Sequence, residues 1–115
     1  MTMTVTIYHN PSCSNSRKAL EIIRAKGIEP TIIEYLKTPL SPQQLRHLIH
    51  DMHVPVRAAM RTNEPVYAEM ELEGADDDTL LAEMAAHPML LNRPIVVTAK
   101  GTRLCRPGET VADML

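Results

Sequence analysis

A chain of 115 residues, 44% hydrophobic and 23% charged, can build one soluble domain with a modest core and no covalent staples. A net charge of −2 argues against non-specific nucleic-acid binding through a basic surface. No apolar run approaches the roughly 20 residues of a membrane span, and Met1–Tyr8 lacks the basic and apolar regions of a leader.

A single cytoplasmic domain over residues 1–115 is therefore expected, and we read it as a monomer. With no Phe or Trp, its core must come from Leu, Ile, Val, Ala and the eight Met. The two cysteines, Cys13 and Cys105, and the five scattered histidines show no metal-ligand spacing. We assign no metal, no bound cofactor and no structural disulfide.

In chain order, Thr4–Tyr8 alternates with period two, Val5 and Ile7 on one face, and reads as a strand. Ser14–Lys26 reads as a helix with Ala19, Leu20 and Ile23 on one face and Gly27 as its stop. Thr31–Tyr35 follows Pro30 as a second strand. This β-α-β order implies parallel strands. Ser41-Pro42-Gln43-Gln44 is a helix start, with Ser41 as N-cap, Pro42 at N1 and Gln44 completing a capping box.

Short helices are expected for Pro55–Arg61 and Pro65–Leu72, and a longer one for Asp77–Ala86, with acidic residues at its positive end. Ile95–Thr98 reads as a buried strand, Lys100-Gly101 as a hairpin turn, Thr102–Cys105 as the antiparallel partner and Pro107–Met114 as a closing helix. The sum is an α/β class: a thioredoxin-like (glutaredoxin-like) mixed sheet of about four strands flanked by helices, with a helical insertion mid-chain. In that layout Pro94 stands where a cis-proline facing the cysteine loop is expected. Fold analogy alone names no function.

The chemistry concentrates in H-N-P-S-C-S-N-S-R, residues 9–17. A thiolate is the nucleophile, and Cys13 at a helix N-terminus would meet free backbone N–H groups and a dipole that favour negative charge. Arg17, one turn later, and His9, just before the turn, are candidates to assist it. The same helix end would attract an oxyanion. Against this stands burial of Cys13 as a small apolar residue, which its polar neighbours Ser12, Ser14, Asn15 and Ser16 oppose. Position 16 is serine, so the loop lacks the second sulfur of a C-x-x-C dithiol. Arg17 lies too close for the C-x5-R loop of protein tyrosine phosphatases.

Y-H-N-P-S-C-S-N-S-R resembles the Y-H-N-P-x-C-x-x-S-R loop of the glutaredoxin-linked arsenate reductases. E-P-T-I-I-E-Y-L (Glu29–Leu36), V-R-A-A-M-R-T-N (Val56–Asn63), H-P-M-L-L-N-R-P-I-V-V-T (His87–Thr98) and G-T-R-L-C-R-P (Gly101–Pro107) resemble further segments of that family. The resemblance spans nearly the whole chain. It implies that Cys13 is the catalytic cysteine, forming a covalent thiol–arsenic adduct, and that His9 helps keep it ionised. It implies that Arg61, Arg93 and Arg106 bind the oxyanion, with Ser16 and Arg17 of the loop beside them. Guanidinium forks suit a tetrahedral oxyanion.

The implied partners are arsenate, glutathione as co-substrate and glutaredoxin, without nucleic acid or membrane. Arg57 would share a helix face with Arg61 and is the natural decoy. Cys105 is expected to be buried and dispensable. The chain stops at Leu115, where longer members continue, and the L-C-R-P segment favours the reductase. Two other readings remain: a non-catalytic thiol-sensing regulator that binds RNA polymerase, and a glutathione-dependent protein thiol oxidoreductase.

Overall fold

The computed structural model describes residues 4–115; the first three residues of Met1–Tyr8, the stretch read against a leader, lie outside them. The chain forms two compact units. One joins the segment up to Tyr35 with Arg93–Leu115, and the other is Leu36–Asn92.

The first unit holds strands β1 (Thr6–Tyr8), β2 (Thr31–Ile33), β3 (Ile95–Thr98) and β4 (Gly101–Leu104) in a single sheet of order β2-β1-β3-β4. β1 pairs parallel with β2, Ile7 opposite Ile32, and antiparallel with β3, Ile7 opposite Val96. β3 and β4 form an antiparallel hairpin. This is the mixed four-stranded sheet expected of the thioredoxin-like layout. The period-two pattern has its predicted result: Val5 and Ile7 are buried, while Thr6 and Tyr8 are partly exposed.

Helix α1 (Ser14–Ala25) links the parallel pair. Its end is built by Gly27, whose φ of +78° favours a residue without a Cβ. Gly27 N donates to Arg24 O at 2.9 Å and Ile28 N to Ile23 O at 3.4 Å, the two bonds of a Schellman motif. The apolar face of α1, Ala19 and Ile23, joins Val5, Ile7, Val96, Cys105, Val111 and Met114 in one core cluster. Val111 and Met114 come from a 3-10 segment, Gly108–Met114, that packs against α1.

The second unit is the expected helical insertion. α2 (Pro42–Asp51) begins with the complete capping box: Gln44 N donates to Ser41 Oγ at 3.1 Å and Ser41 N to Gln44 Oε1 at 2.9 Å. α4 (Asp77–Ala86) is capped by Asp76, which accepts from Thr79 N at 2.9 Å. Leu45, Leu48 and Ile49 of α2 and Leu80, Leu81 and Met84 of α4 are buried where the two helices pack. Between them lie a 3-10 turn, Val56–Ala59, and the short helix α3 (Pro65–Glu69).

Several boundaries differ from expectation: β1 begins at Thr6 rather than Thr4, α1 ends at Ala25 rather than Lys26, and β2 ends at Ile33 rather than Tyr35. The predicted helix Pro55–Arg61 is only the Val56–Ala59 turn. The predicted helix Pro65–Leu72 stops at Glu69, because Glu71 turns left-handed at φ +53° before a second turn at Leu72–Gly74. The hairpin loop is Ala99-Lys100 rather than Lys100-Gly101: Gly101 pairs with Thr98 and opens β4. Gly108–Met114 is 3-10 rather than α. The Arg93–Pro94 peptide is cis as expected, and Arg106–Pro107 is cis as well. Among the described residues, no helix is long and apolar enough to cross a membrane.

Candidate active site

The loop between β1 and α1 is closed by its own polar groups. Asn10 accepts twice, from Ser12 N at its Oδ1 (2.9 Å) and from Cys13 N at its carbonyl (3.0 Å), an arrangement typical of asparagine in turns. Asn10 N donates to Ser16 Oγ at 3.3 Å. Arg17 Nη1 reaches back to Pro11 O at 2.8 Å. The two loop residues expected beside the oxyanion thus have their side chains on the loop itself. Ser16 is fully buried, and Arg17 ties the turn to the first turn of α1.

This closure places Cys13 at the N-cap of α1, extended at φ −94° and ψ 123°, with its carbonyl accepting the first helical bond from Arg17 N. The residue is 6% exposed. Burial is the largest single influence on the thiol and opposes ionisation. The backbone N–H groups of Ser16 and Asn15, the charge of Arg93 and a side-chain hydrogen bond from Arg93 together outweigh it, so the thiol is held below its ordinary range.

A second guanidinium arrives from the far end of the chain. Arg106 Nη1 lies 3.8 Å from Cys13 Sγ and donates to Arg93 O at 2.9 Å. One cysteine sulfur, two arginines and a helix N-terminus therefore converge within the first unit. Such a cluster stabilises a sulfur anion and can take up a tetrahedral anion beside it.

His9 is buried, its N–H donating to Ile33 O at 2.8 Å. Burial lowers its pKa, Glu34 opposes the shift, and the charges of Arg24 and Arg17 reinforce it. The shift favours the uncharged form of the imidazole. Its Nδ1 is buried without a hydrogen-bond partner.

Arg61 belongs to the second unit. Its N–H donates to Leu90 O at 2.7 Å, and its Nη1 pairs with Glu64 Oε1 at 2.6 Å. Arg57, the decoy, is engaged in structure: Nε donates to Tyr67 Oη at 3.0 Å, and Nη2 to the carbonyls of Leu72 and Ala75 at 2.9 and 3.1 Å. Cys105 is buried against Met114 Sδ at 3.7 Å. Burial raises its pKa, with a Thr110 hydrogen bond and the Arg103 charge opposing. Among the described residues, no group of three or more His, Cys, Asp or Glu side chains is placed to hold a metal ion.

Two residues that the sequence does not single out, Asn15 and Gly108, also touch the site. Gly108 N donates to Asn15 Oδ1 at 3.1 Å across 93 residues of chain. An asparagine just inside a helix looks like an ordinary cap neighbour, and no local signal names its partner.

Residues 8–114 match the model of the ArsC family. An arsenate reductase of Escherichia coli is 54% identical over 113 residues, covering 96% of this chain and 80% of its own length. One from Rhizobium meliloti (strain 1021) is 50% identical over 115 residues, covering 98% of this chain and 82% of its own. Among solved structures, an arsenate reductase from Vibrio cholerae matches with a TM-score of 0.95 at 43% identity, covering 100% of both chains.

Proposed function

The chain belongs to the ArsC family, and from that membership we propose that it reduces arsenate to arsenite through one enzyme thiolate, Cys13. The observation that carries the reading is the thiol at the N-cap of α1 with Arg106 Nη1 3.8 Å from its sulfur and donating to Arg93 O. The thiolate attacks arsenic, a sulfur–arsenic bond forms, and one arsenate oxygen leaves as water. Arg93 and Arg106 hold the remaining oxygens. Arg61, which the V-R-A-A-M-R resemblance implies for the oxyanion, belongs to the second unit, where its Nη1 pairs with Glu64.

Reduction needs two electrons. Cys13 has no second sulfur in its loop, and Cys105 is buried with a raised pKa. The electrons therefore come from outside. Glutathione attacks the adduct, glutaredoxin reduces the resulting mixed disulfide, and arsenite leaves. Arsenate and two thiols give arsenite, one disulfide and water. Burial of the thiol restricts side reactions with bulk solvent.

The test is arsenite formation from arsenate with glutathione and glutaredoxin supplied. Wild type and Cys105→Ser should turn over, and Cys13→Ser should not. Absence of turnover in wild type, or full activity in Cys13→Ser, contradicts the reading.

A further inference from the structure

Arg106 reaches Cys13 from a segment that has no strand pairing beyond Cys105 N, which donates to Pro94 O at 2.9 Å. A long side chain on such a segment needs a fixed backbone if its guanidinium is to stay on one sulfur. The fixing contact lies next door. Gly108 N donates to Asn15 Oδ1, so the arginine-bearing segment and the cysteine-bearing helix end are tied twice, at Cys13 with Arg106 and at Asn15 with Gly108.

The second tie also depends on the absence of a side chain. A Cβ on Gly108 would stand 2.4 Å from Asn15 O, 3.0 Å from Ala19 N and 3.1 Å from Lys18 Cβ. The first two of those atoms are backbone, which cannot swing aside. Gly108 is buried, and the 3-10 segment it opens packs along α1 through Val111 and Met114.

We propose that Asn15 and Gly108 form a latch that positions the Arg106 guanidinium against the Cys13 sulfur. Asn15 is a positioning residue: its side chain acts on the sulfur only through the Arg106 segment, while its backbone N–H, which also serves the thiol, is kept in any non-proline variant. The inference rests on the assignment of Arg106 to the thiolate and its oxyanion.

The latch is tested by a double-mutant cycle on wild type, Asn15→Ala, Arg106→Ala and the double variant, each checked for fold by circular dichroism. The first readout is the pH titration of the Cys13 thiolate, which needs no arsenate. Asn15→Ala should move the titration upward in the same direction as Arg106→Ala, and the double variant should match Arg106→Ala alone.

The second readout is the arsenate KM. It should rise about tenfold in Asn15→Ala, as expected when a charged hydrogen bond is misplaced, with no further rise when Asn15→Ala is added to Arg106→Ala. Gly108→Ala should act in the same direction as Asn15→Ala. Independent, additive effects of Asn15→Ala and Arg106→Ala on the titration overturn the latch, as does a wild-type titration in Asn15→Ala. If wild type titrates and couples as described but reduces no arsenate, the latch stands and the reductase assignment falls.

Discussion

Cys13 and Cys105 are both buried, yet their surroundings push them in opposite directions. Burial opposes ionisation at each. At Cys13 it is overcome by two backbone N–H groups and an arginine; at Cys105 the opposing contacts are too weak. Because Cys13 is shifted down and Cys105 up, the thiolate fraction of Cys13 should rise with pH through a lower midpoint than that of Cys105. The rate of iodoacetamide alkylation against pH, read peptide by peptide by mass spectrometry, checks this. The reverse order of midpoints contradicts the electrostatic account.

The position of Cys13 at a helix N-terminus was legible from the loop, because helix starts and polar neighbours are local features. The occupation of Ser16 and Arg17 was not. Whether a serine hydroxyl or a guanidinium faces a ligand or its own loop depends on which carbonyls and N–H groups the turn leaves open.

At the scale of elements, caps carried the clearest signals. Gly27 and the Ser41–Gln44 box are found where the sequence puts them, since both are set by residues within one turn of each other. Gly27 sits at φ +78° with open space where a Cβ would project. Gly27→Ala should therefore lower stability by about 1 kcal/mol through backbone conformation alone, and Gly27→Asn by less. Urea denaturation measures the difference, and a neutral Gly27→Ala would mean that the helix ends elsewhere in solution.

Helix lengths were less legible. Pro55 and Pro65 mark starts well, because proline suits a first turn. Nothing local says that Glu71 will turn left-handed and end the run. The hairpin was displaced by one residue for a similar reason: Gly101 signals a positive φ, and that φ belongs to the first residue of β4 rather than to the loop.

At the scale of the molecule, the chain's first and last segments build one unit, and that topology brings Arg93 and Arg106 to Cys13. No periodicity predicts such a meeting; the family resemblance supplied it, and the sheet order β2-β1-β3-β4 gives it a physical basis. β1, which leads to the cysteine, is hydrogen-bonded directly to β3, which follows Arg93.

An oxyanion that comes to this sulfur must compete with any other reagent for it. Arsenate should protect Cys13 from alkylation, because the anion held by the arginines covers the thiolate and consumes it as an adduct. The most direct measurement is the Cys13 alkylation rate against arsenate concentration at fixed pH, with Cys105 as the internal control. A saturable slowing confined to Cys13 is the predicted result. An unchanged Cys13 rate at all arsenate concentrations would contradict the account.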